Sequence, residues 1–305
     1  MKTLLLHHED CLRHDPGPRH PERVDRIRAV VSAVRDFPGT ELLPAPLASQ
    51  EQICRAHSPD YWQMLLDLEP ESGLAALDPD TFMSSGSIKA SLRGSGAACF
   101  AIDQVIAGKS RNAFCITRPP GHHSGSNFAM GFCLFNQVAV AARHALAVHD
   151  IERVAILDFD VHHGNGTQAI FEDSPEVLFV SSHQMPLYPG TGRADETGCG
   201  NILNMPLAPE SGSAEFRTAW STRGLPAMQE FKPELIIVSA GFDAHEMDPL
   251  GQLELQDDDF GWITAEICRY ANDACGGRVI SVLEGGYDLD ALASASLAHV
   301  EALAS

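Results

Sequence analysis

The chain is short of positive charge. Its 305 residues include 21 lysines and arginines against 41 aspartates and glutamates, which gives a formal net charge of -20 at pH 7. A surface of this sign repels phosphate backbones, whereas it suits cationic partners. We therefore expect no nucleic-acid partner.

Long apolar runs and paired cysteines are also missing. The amino terminus, MKTLLLHHED, has one short leucine run before charges return, which is too short for a signal peptide or a membrane span. The eight cysteines include no C-x-x-C pair, which argues against a zinc ribbon or a thioredoxin-like site and favours reduced, mostly buried thiols. We expect a cytoplasmic protein with no membrane contact. The lack of long flanking regions favours a compact bacterial enzyme over a eukaryotic regulatory protein.

Apolar runs rich in β-branched residues alternate with helical patterns along the chain. The runs cover 3–6, 113–117, 154–159, 177–182, 202–207, 235–240 and 279–283. The helical patterns cover 21–36, with Pro21 in the first turn, 136–150, and most of 50–108. Such alternation indicates a parallel sheet buried on both faces. No repeat or long linker divides the chain, so we predict one α/β domain over 1–305, with a mostly parallel central sheet flanked by helices.

Polar clusters follow four of the predicted strands. They read RPPGHHSG, DFDVHHGNG, AGFDAHEMD and EGGYD. Open parallel sheets bind their ligands at the carboxyl ends of the strands. We therefore expect these clusters to converge on one site.

The second cluster suggests a metal site. Asp160 and His162 are two residues apart in an extended segment, so their side chains leave the same side of the strand and can hold one ion. A catalytic zinc ion needs a third protein ligand and an open position for water and substrate. Asp243, the first acid after LIIVSAGF, is the best candidate. The alternatives on spacing alone are His245, Glu246 and Asp248.

The other clusters supply groups for proton transfer. His122 and His123 titrate near neutrality and suit the role of base toward a bound water. Asp158 and Asn165 can orient the far nitrogens of these rings. Tyr287 follows two glycines and can donate its hydroxyl to a developing oxyanion.

The chain closely resembles the zinc-dependent histone deacetylase family in the order and spacing of RPPGHH, GFCLFN, DFDVHHGNGTQ, AGFDAHEMDPLGQL and LEGGYD. The resemblance extends over nearly the whole chain. It is strongest to the class II branch and its bacterial relatives, the histone deacetylase-like amidohydrolases and acetylpolyamine amidohydrolases. It implies the arginase-deacetylase α/β fold and a histone deacetylase-like catalytic domain.

The resemblance also implies roles for individual residues. The zinc ligands would be Asp160, His162 and Asp243. The catalytic residues would be His123 as principal general base and acid, His122 as an electrostatic partner oriented by Asp158, Asn165 behind His123, and Tyr287 as the carbonyl-polarising group. The acyl-lysine tunnel would be formed by Phe132 and Tyr188, with Gly131 and Leu250. A potassium ion would be held by Asp158, Asp160, His162, Ser181 and Ser182.

Three residues bear on activity and substrate within the family. Asn165 stands where the class I branch has an aspartate, so His123 should be less basic than with a charged neighbour. One vertebrate branch of the family has a histidine at the position of Tyr287 and weak deacetylase activity. Tyr287 therefore favours good deacetylase activity in this chain. Leu250 stands where a glutamate would help to select a cationic polyamine, so leucine favours acyl-lysine peptides.

The expected reaction is zinc-dependent hydrolysis of the amide of N-ε-acetyl-lysine, or a related short acyl-lysine, with release of acetate. The alternative is an acetylpolyamine deacetylase, and a less favoured one is a catalytically silent acyl-lysine-binding scaffold. A two-manganese ureohydrolase would need a second acid-rich motif, which the sequence lacks. The loop over 7–23 is expected either at the active-site rim, with Arg19, His20 or Glu22 controlling access, or elsewhere on the surface.

Overall fold

The computed structural model describes residues 1–305 and contains an eight-stranded, entirely parallel sheet with strand order β2-β1-β5-β10-β9-β6-β7-β8. Its strands are β1 (Thr3–His7), β2 (Thr40–Pro44), β5 (Ala113–Cys115), β6 (Val154–Asp158), β7 (Val177–Gln184), β8 (Ile202–Leu207), β9 (Leu235–Ala240) and β10 (Val279–Leu283). A separate antiparallel hairpin is formed by β3 (Ala75–Ala76) and β4 (Phe82–Met83).

Helices cover both faces of the sheet. They are α1 (Val24–Val34), α2 (Gln50–Ile53), α3 (Pro59–Leu68), α4 (Ser87–Ile106), α5 (Gln137–Val148), α6 (Asn165–Phe171), α7 (Ser213–Ala219), α8 (Leu225–Phe231), α9 (Asp257–Ala274) and α10 (Leu289–Ala304). No helix is both long enough and apolar enough to cross a membrane.

The strands are apolar on both sides because each side faces a separate core. Alternate residues of a strand point to opposite faces, so Ile156 of β6 lies in one hydrophobic cluster and Leu157 in the other. In the same way, Ile237 and Val238 of β9 divide between the two clusters. Burial on both faces explains why these segments read as continuous apolar runs.

All the predicted strands are present, and the prediction of a single α/β domain is confirmed. The edge strand β2 was missed because its sequence, TELLP, is only half-buried and shows no apolar run. The segment over 50–108 is mainly helical, as predicted, with loops and the β3–β4 hairpin between α2, α3 and α4. The prediction for Pro21 was wrong, since the backbone is still extended at Arg23 and the helix begins at Val24.

The strands that precede the four polar clusters are neighbours in the middle of the sheet, in the order β5-β10-β9-β6. Because the strands are parallel, the loops that leave their carboxyl ends lie at the same edge. The fold thus brings together segments that are far apart in the sequence.

Candidate active site

Asp160, His162 and Asp243 meet at this edge. Nδ1 of His162 lies 3.1 Å from Oδ1 of Asp160 and 3.2 Å from Oδ2 of Asp243. All three side chains are buried, and one donor atom from each lies within 4.8 Å of the others. The strands β6 and β9 are direct neighbours, which explains how Asp160 and Asp243 come together.

Backbone groups fix the two carboxylates. Val161 N–H donates to Asp243, His162 N–H donates to Oδ1 of Asp160, and Gly285 N–H donates to Oδ2 of Asp160. Each of these hydrogen bonds is 2.9 Å long. A Cβ atom at Gly285 would lie only 2.0 Å from a carboxylate oxygen of Asp243. The first glycine of EGGYD is therefore required, because this loop approaches the metal-ligand candidates too closely for a side chain.

The chemistry of the three donors fits a metal cation such as zinc. Two carboxylates and one imidazole are oxygen and nitrogen ligands that zinc accepts. Burial opposes charge on His162, but its hydrogen bonds with Asp160 and Asp243 raise its pKa to about 10. Burial, together with repulsion from Asp160, raises the pKa of Asp243 to about 7. A protonated His162 balances the charge of these buried carboxylates here, and a divalent cation would balance it with His162 neutral, as a metal ligand must be.

The alternatives to Asp243 lie elsewhere. Asp248 accepts hydrogen bonds from the backbone N–H groups of Leu250 and Tyr287, at 2.9 and 2.6 Å. Nδ1 of His245 accepts from Met247 N–H at 3.1 Å. Glu246 is exposed. None of the three joins the cluster, although Asp248 fixes the backbone of Tyr287.

A second group of metal-binding type, formed by Asp103, His144 and His149, lies away from this edge. Nδ1 of His144 lies 2.7 Å from a guanidinium nitrogen of Arg55, which can only donate. Nδ1 is therefore the acceptor, and Nε2 carries a proton and donates to Asp103 at 2.9 Å. A metal-bound histidine instead donates from its far nitrogen to an acceptor. These contacts fit a hydrogen-bonded link between α4 and α5.

The adjacent histidines have different surroundings. Nδ1 of His122 lies 3.0 Å from Oδ2 of Asp158, and its Nε2 lies 3.8 Å from Asp160. Burial alone would lower the pKa of His122, but Asp160 and Asp158 raise it well above its usual value. Burial lowers the pKa of His123 well below its usual value, and the charges of His122 and His162 lower it further. The surroundings therefore favour the charged form of His122 and the neutral form of His123.

Asn165 sets the tautomer of His123. Its side-chain oxygen lies 2.7 Å from Nδ1 of His123, while its amide nitrogen donates to the sulfur of Met130 at 3.2 Å. An oxygen acceptor at this position places the proton of the neutral ring on Nδ1. Nε2 is then free to accept a proton.

Tyr287 is buried beside the metal-ligand candidates. Its ring lies under the guanidinium of Arg26, which is 4.8 Å from the ring centroid and donates to the carbonyl groups of Gly286 and Glu284. Burial raises the pKa of Tyr287 well above its usual value, although Arg26 lowers it. The phenol therefore keeps its proton at neutral pH and can donate it in a hydrogen bond.

A cavity of about 240 Å³ leads to these groups. It is lined by Asp80, His123, Gly131, Phe132, His162, Leu187, Tyr188, Leu250 and Tyr287. Gly131 has a positive φ of 56°, and a Cβ atom there would lie 2.3 Å from the ring of His123. The predicted tunnel residues thus share one cavity, while Asp80 and Leu187 were not predicted. Leu187 could have been proposed from its position beside Tyr188, but Asp80 stands in a segment read as helical.

The residues expected to hold potassium lie on β6, on β7 and in the loop that follows β6. Asp158 on β6 is the register partner of Ser181 on β7. The hydroxyl of Ser181 contacts Nδ1 of His183 at 2.9 Å, and the hydroxyl of Ser182 accepts from the indole of Trp220 at 3.0 Å. A cation here would therefore depend mainly on backbone carbonyl groups.

The amino-terminal loop divides between rim and interior. Arg19 and His20 line an open groove that adjoins the cavity at Asp80 and Phe132. Glu22 is fully buried, and its carboxylate is bound by the guanidinium of Arg118 at 2.6 and 2.7 Å. Glu22 therefore cannot control access at the rim.

Glu284, in the LEGGYD motif, was given no role by sequence reasoning. It is fully buried at the end of β10, and Oε2 accepts from the backbone N–H groups of Gly121 and His122, at 2.7 and 3.2 Å. Burial raises its pKa to about 7, although the charge of His122 lowers it. Glu284 thus links the histidine loop to the central strand. An acid in an otherwise apolar strand end was the signal available in the sequence.

The site combines two carboxylates and an imidazole that face one point with a neutral imidazole and a phenol at the base of an apolar cavity. This combination is typical of a hydrolytic enzyme with a metal-binding ligand set. The histone deacetylase domain model matches residues 18–303, and the chain belongs to the histone deacetylase family. It is therefore a hydrolase of the family that acts on acetylated amides. The resemblance seen in the sequence is confirmed.

Individual relatives agree with this assignment. The chain is 40% identical over 298 residues to an uncharacterised protein of Synechocystis, with 95% of this chain and 96% of that protein covered. It is 36% identical over 327 residues to the histone deacetylase-like amidohydrolase of Pseudomonas aeruginosa, with 99% and 86% covered. The crystal structure of the HDA15 HD domain superposes with a TM-score of 0.92 at 34% identity, covering 99% of this chain and 90% of that one.

Proposed function

We propose that residues 1–305 form a zinc-dependent deacetylase that hydrolyses N-ε-acetyl-lysine, or a related short acyl-lysine, in peptides or proteins. The observation that carries this proposal is the contact of Asp160, His162 and Asp243 at the base of a cavity with a neutral histidine and a protonated tyrosine. The cavity walls include Phe132, Tyr188 and Leu250. Apolar walls suit the uncharged arm of an acyl-lysine.

Asp160, His162 and Asp243 would hold the zinc ion. When bound, zinc would act as a Lewis acid toward the acyl carbonyl and lower the pKa of the attacking water. A potassium ion is proposed at the backbone of Asp158, Asp160, His162, Ser181 and Ser182. A cytoplasmic location and a bacterial origin belong to the same proposal, and the similar proteins of Synechocystis and Pseudomonas aeruginosa support the bacterial origin.

The side chains around the cavity divide the proton transfers. Nε2 of His123 accepts the proton of the attacking water, because Nδ1 is held by Asn165. The protonated His122 stabilises the negative charge that develops nearby. The hydroxyl of Tyr287 donates a hydrogen bond to the developing oxyanion. When the amide C–N bond breaks, His123 returns its proton to the leaving lysine amine, and acetate is the second product.

The alternative substrate is an acetylated polyamine, which the charge of -20 would attract. Leu250 argues against it, since an apolar rim residue offers no partner to a second ammonium group. Acetate release from an acetyl-lysine peptide and from an acetylated polyamine should be compared for the zinc-loaded protein, with and without a chelator. Chelator-sensitive release from the peptide alone is expected. Faster release from the polyamine would favour the alternative, and no release from either would favour a non-catalytic acyl-lysine-binding scaffold.

A further inference from the structure

Phe132, on the wall of the cavity, has an unusual backbone conformation. Its φ is 69°, in the left-handed region, directly after Gly131 with a φ of 56°. A bulky residue adopts this region only when its surroundings hold it there, and such strain is concentrated at functional sites. The question is which contact maintains the conformation.

The backbone N–H of Phe132 donates to the hydroxyl of Thr81, at 3.0 Å. Thr81 is fully buried, and its own hydroxyl proton is donated to Oδ1 of Asp80 at 3.1 Å. The hydroxyl therefore acts once as a donor and once as an acceptor, which fixes its orientation. Phe132 would lose this partner if residue 81 had no hydroxyl group.

Thr81 is itself held in place. Its backbone N–H and that of Asp80 both donate to Oδ1 of Asp78, at 2.6 and 2.9 Å. Its carbonyl accepts from Leu77 N–H at 2.8 Å, within the β3–β4 hairpin. The hairpin thus forms a frame that carries one hydroxyl group to the backbone of Phe132.

The position of Phe132 determines the shape of the cavity. Its ring lies edge-on to Tyr287, with centroids 5.9 Å apart, and to His20, with centroids 4.6 Å apart. A change of φ at Phe132 would move this ring relative to Tyr287 and Tyr188 and would change the width of the passage. The φ angle of Phe132 therefore influences how well the acyl-lysine arm fits the cavity.

We propose that Thr81 is a positioning residue that holds Phe132 in its left-handed conformation and thereby sets which acyl-lysine arms fit the cavity. This inference rests on the proposed deacetylase function. Thr81 has no hydrogen bond to the metal-ligand candidates or to the proton-transferring groups. Its hydroxyl contacts the backbone of Phe132 and the carboxylate of Asp80, and both of these residues line the cavity.

The test compares Thr81→Val, which keeps the shape but removes the hydroxyl, with Thr81→Ser, which keeps the hydroxyl. For Thr81→Val we expect KM for an acetyl-lysine peptide to rise about tenfold, since a buried N–H is left without a partner. We expect kcat to change less than KM, and the preference between acetyl-lysine and butyryl-lysine peptides to shift. Thr81→Ser should retain the wild-type values. Wild-type KM and acyl preference in Thr81→Val would overturn the proposal.

A double-mutant cycle with Phe132→Ala separates this role from general destabilisation. If Thr81 acts through the Phe132 ring, Thr81→Val should have no further effect on KM or acyl preference once the ring is absent. An equal additional loss would overturn the proposal. Calorimetric titration with the two peptides, in a Tyr287→Phe background that slows hydrolysis, makes the same comparison by direct binding. Loss of acetate release in the wild type would contradict the proposed function, whereas an unchanged peptide affinity in Thr81→Val would contradict the role of Thr81.

Discussion

The side-chain oxygen of Asn165 lies 2.7 Å from Nδ1 of His123 and holds this ring in the tautomer whose Nε2 can accept a proton. The neighbouring His122 has a carboxylate, Asp158, in the equivalent place at 3.0 Å. An uncharged partner for one ring and a charged partner for the other add to the difference between their pKa values.

Replacement of Asn165 by Asp should raise the pKa of His123, because a negative charge stabilises its protonated form. Since His123 must be neutral to accept a proton, the acidic limb of the pH profile of kcat/KM should move to higher pH by about one unit. Asn165→Ala, which adds no charge, is the matched control. An unchanged acidic limb in Asn165→Asp would contradict the assignment of His123 as the base.

Replacement of Tyr287 by Phe removes the hydroxyl group and keeps the ring that packs against Arg26 and Phe132. Loss of one oxyanion donor should lower kcat on the order of 10²-fold. Zinc content and the thermal unfolding midpoint should stay as in the wild type. A wild-type rate would show that the hydroxyl has no part in the reaction.

Asp243→Ala and Asp248→Ala distinguish a metal ligand from a nearby structural acid. Asp243 contacts His162 at 3.2 Å, whereas Asp248 binds backbone N–H groups. After dialysis against zinc, elemental analysis should show about one equivalent in Asp248→Ala and little in Asp243→Ala. The Asp248 variant should still lose activity, because the backbone of Tyr287 is no longer held. The reverse pattern of zinc content would identify Asp248 as the ligand.

Glu284→Ala and Glu284→Gln test the link from β10 to the histidine loop. The glutamine oxygen can still accept from Gly121 and His122, so this variant should stay within a few-fold of wild-type kcat. Glu284→Ala leaves two buried N–H groups unpaired, so kcat should fall about tenfold or more. Comparable kcat values for the two variants would mean that the contact does not position the histidines.

His299 gives a prediction about stability in acid. The ring is fully buried between Thr264 and Ser281, at 2.6 and 2.8 Å, and burial lowers its pKa to about 3. The unfolded chain binds a proton near pH 6.5 and the folded chain does not, so stability falls as the pH falls from 6.5 toward 3.

Denaturant unfolding of wild type and His299→Gln at pH 7.5, 6.5 and 5.5 measures this contribution. Below pH 6.5 the free energy of unfolding should fall less steeply in the variant, by up to about 1.4 kcal/mol per pH unit. The difference between the two proteins should be constant above pH 7. Parallel curves across the whole range would contradict a neutral His299 in the folded state.

The sequence predicted the central strands and the polar clusters at their ends well, because burial on both faces leaves long apolar runs and the site residues follow them directly. It could not predict Thr81. Thr81 lies in the β3–β4 hairpin within a largely helical segment, so the local sequence gives no sign of its role. Its contact with Phe132 joins residues 51 positions apart in the chain. Glu22 was placed at the rim as one option, but its pairing with Arg118 depends on a long-range contact that composition does not reveal.

The strand order has a consequence for how the protein is made. β10 comes late in the chain, yet it lies between β5 and β9 in the middle of the sheet and carries Glu284 and Tyr287 at its end. During synthesis, the two halves of the sheet cannot join until the ribosome has released residues 279–283. A nascent chain that stops before this strand therefore exposes two unpaired strand edges, and its site forms only after β10 has been made.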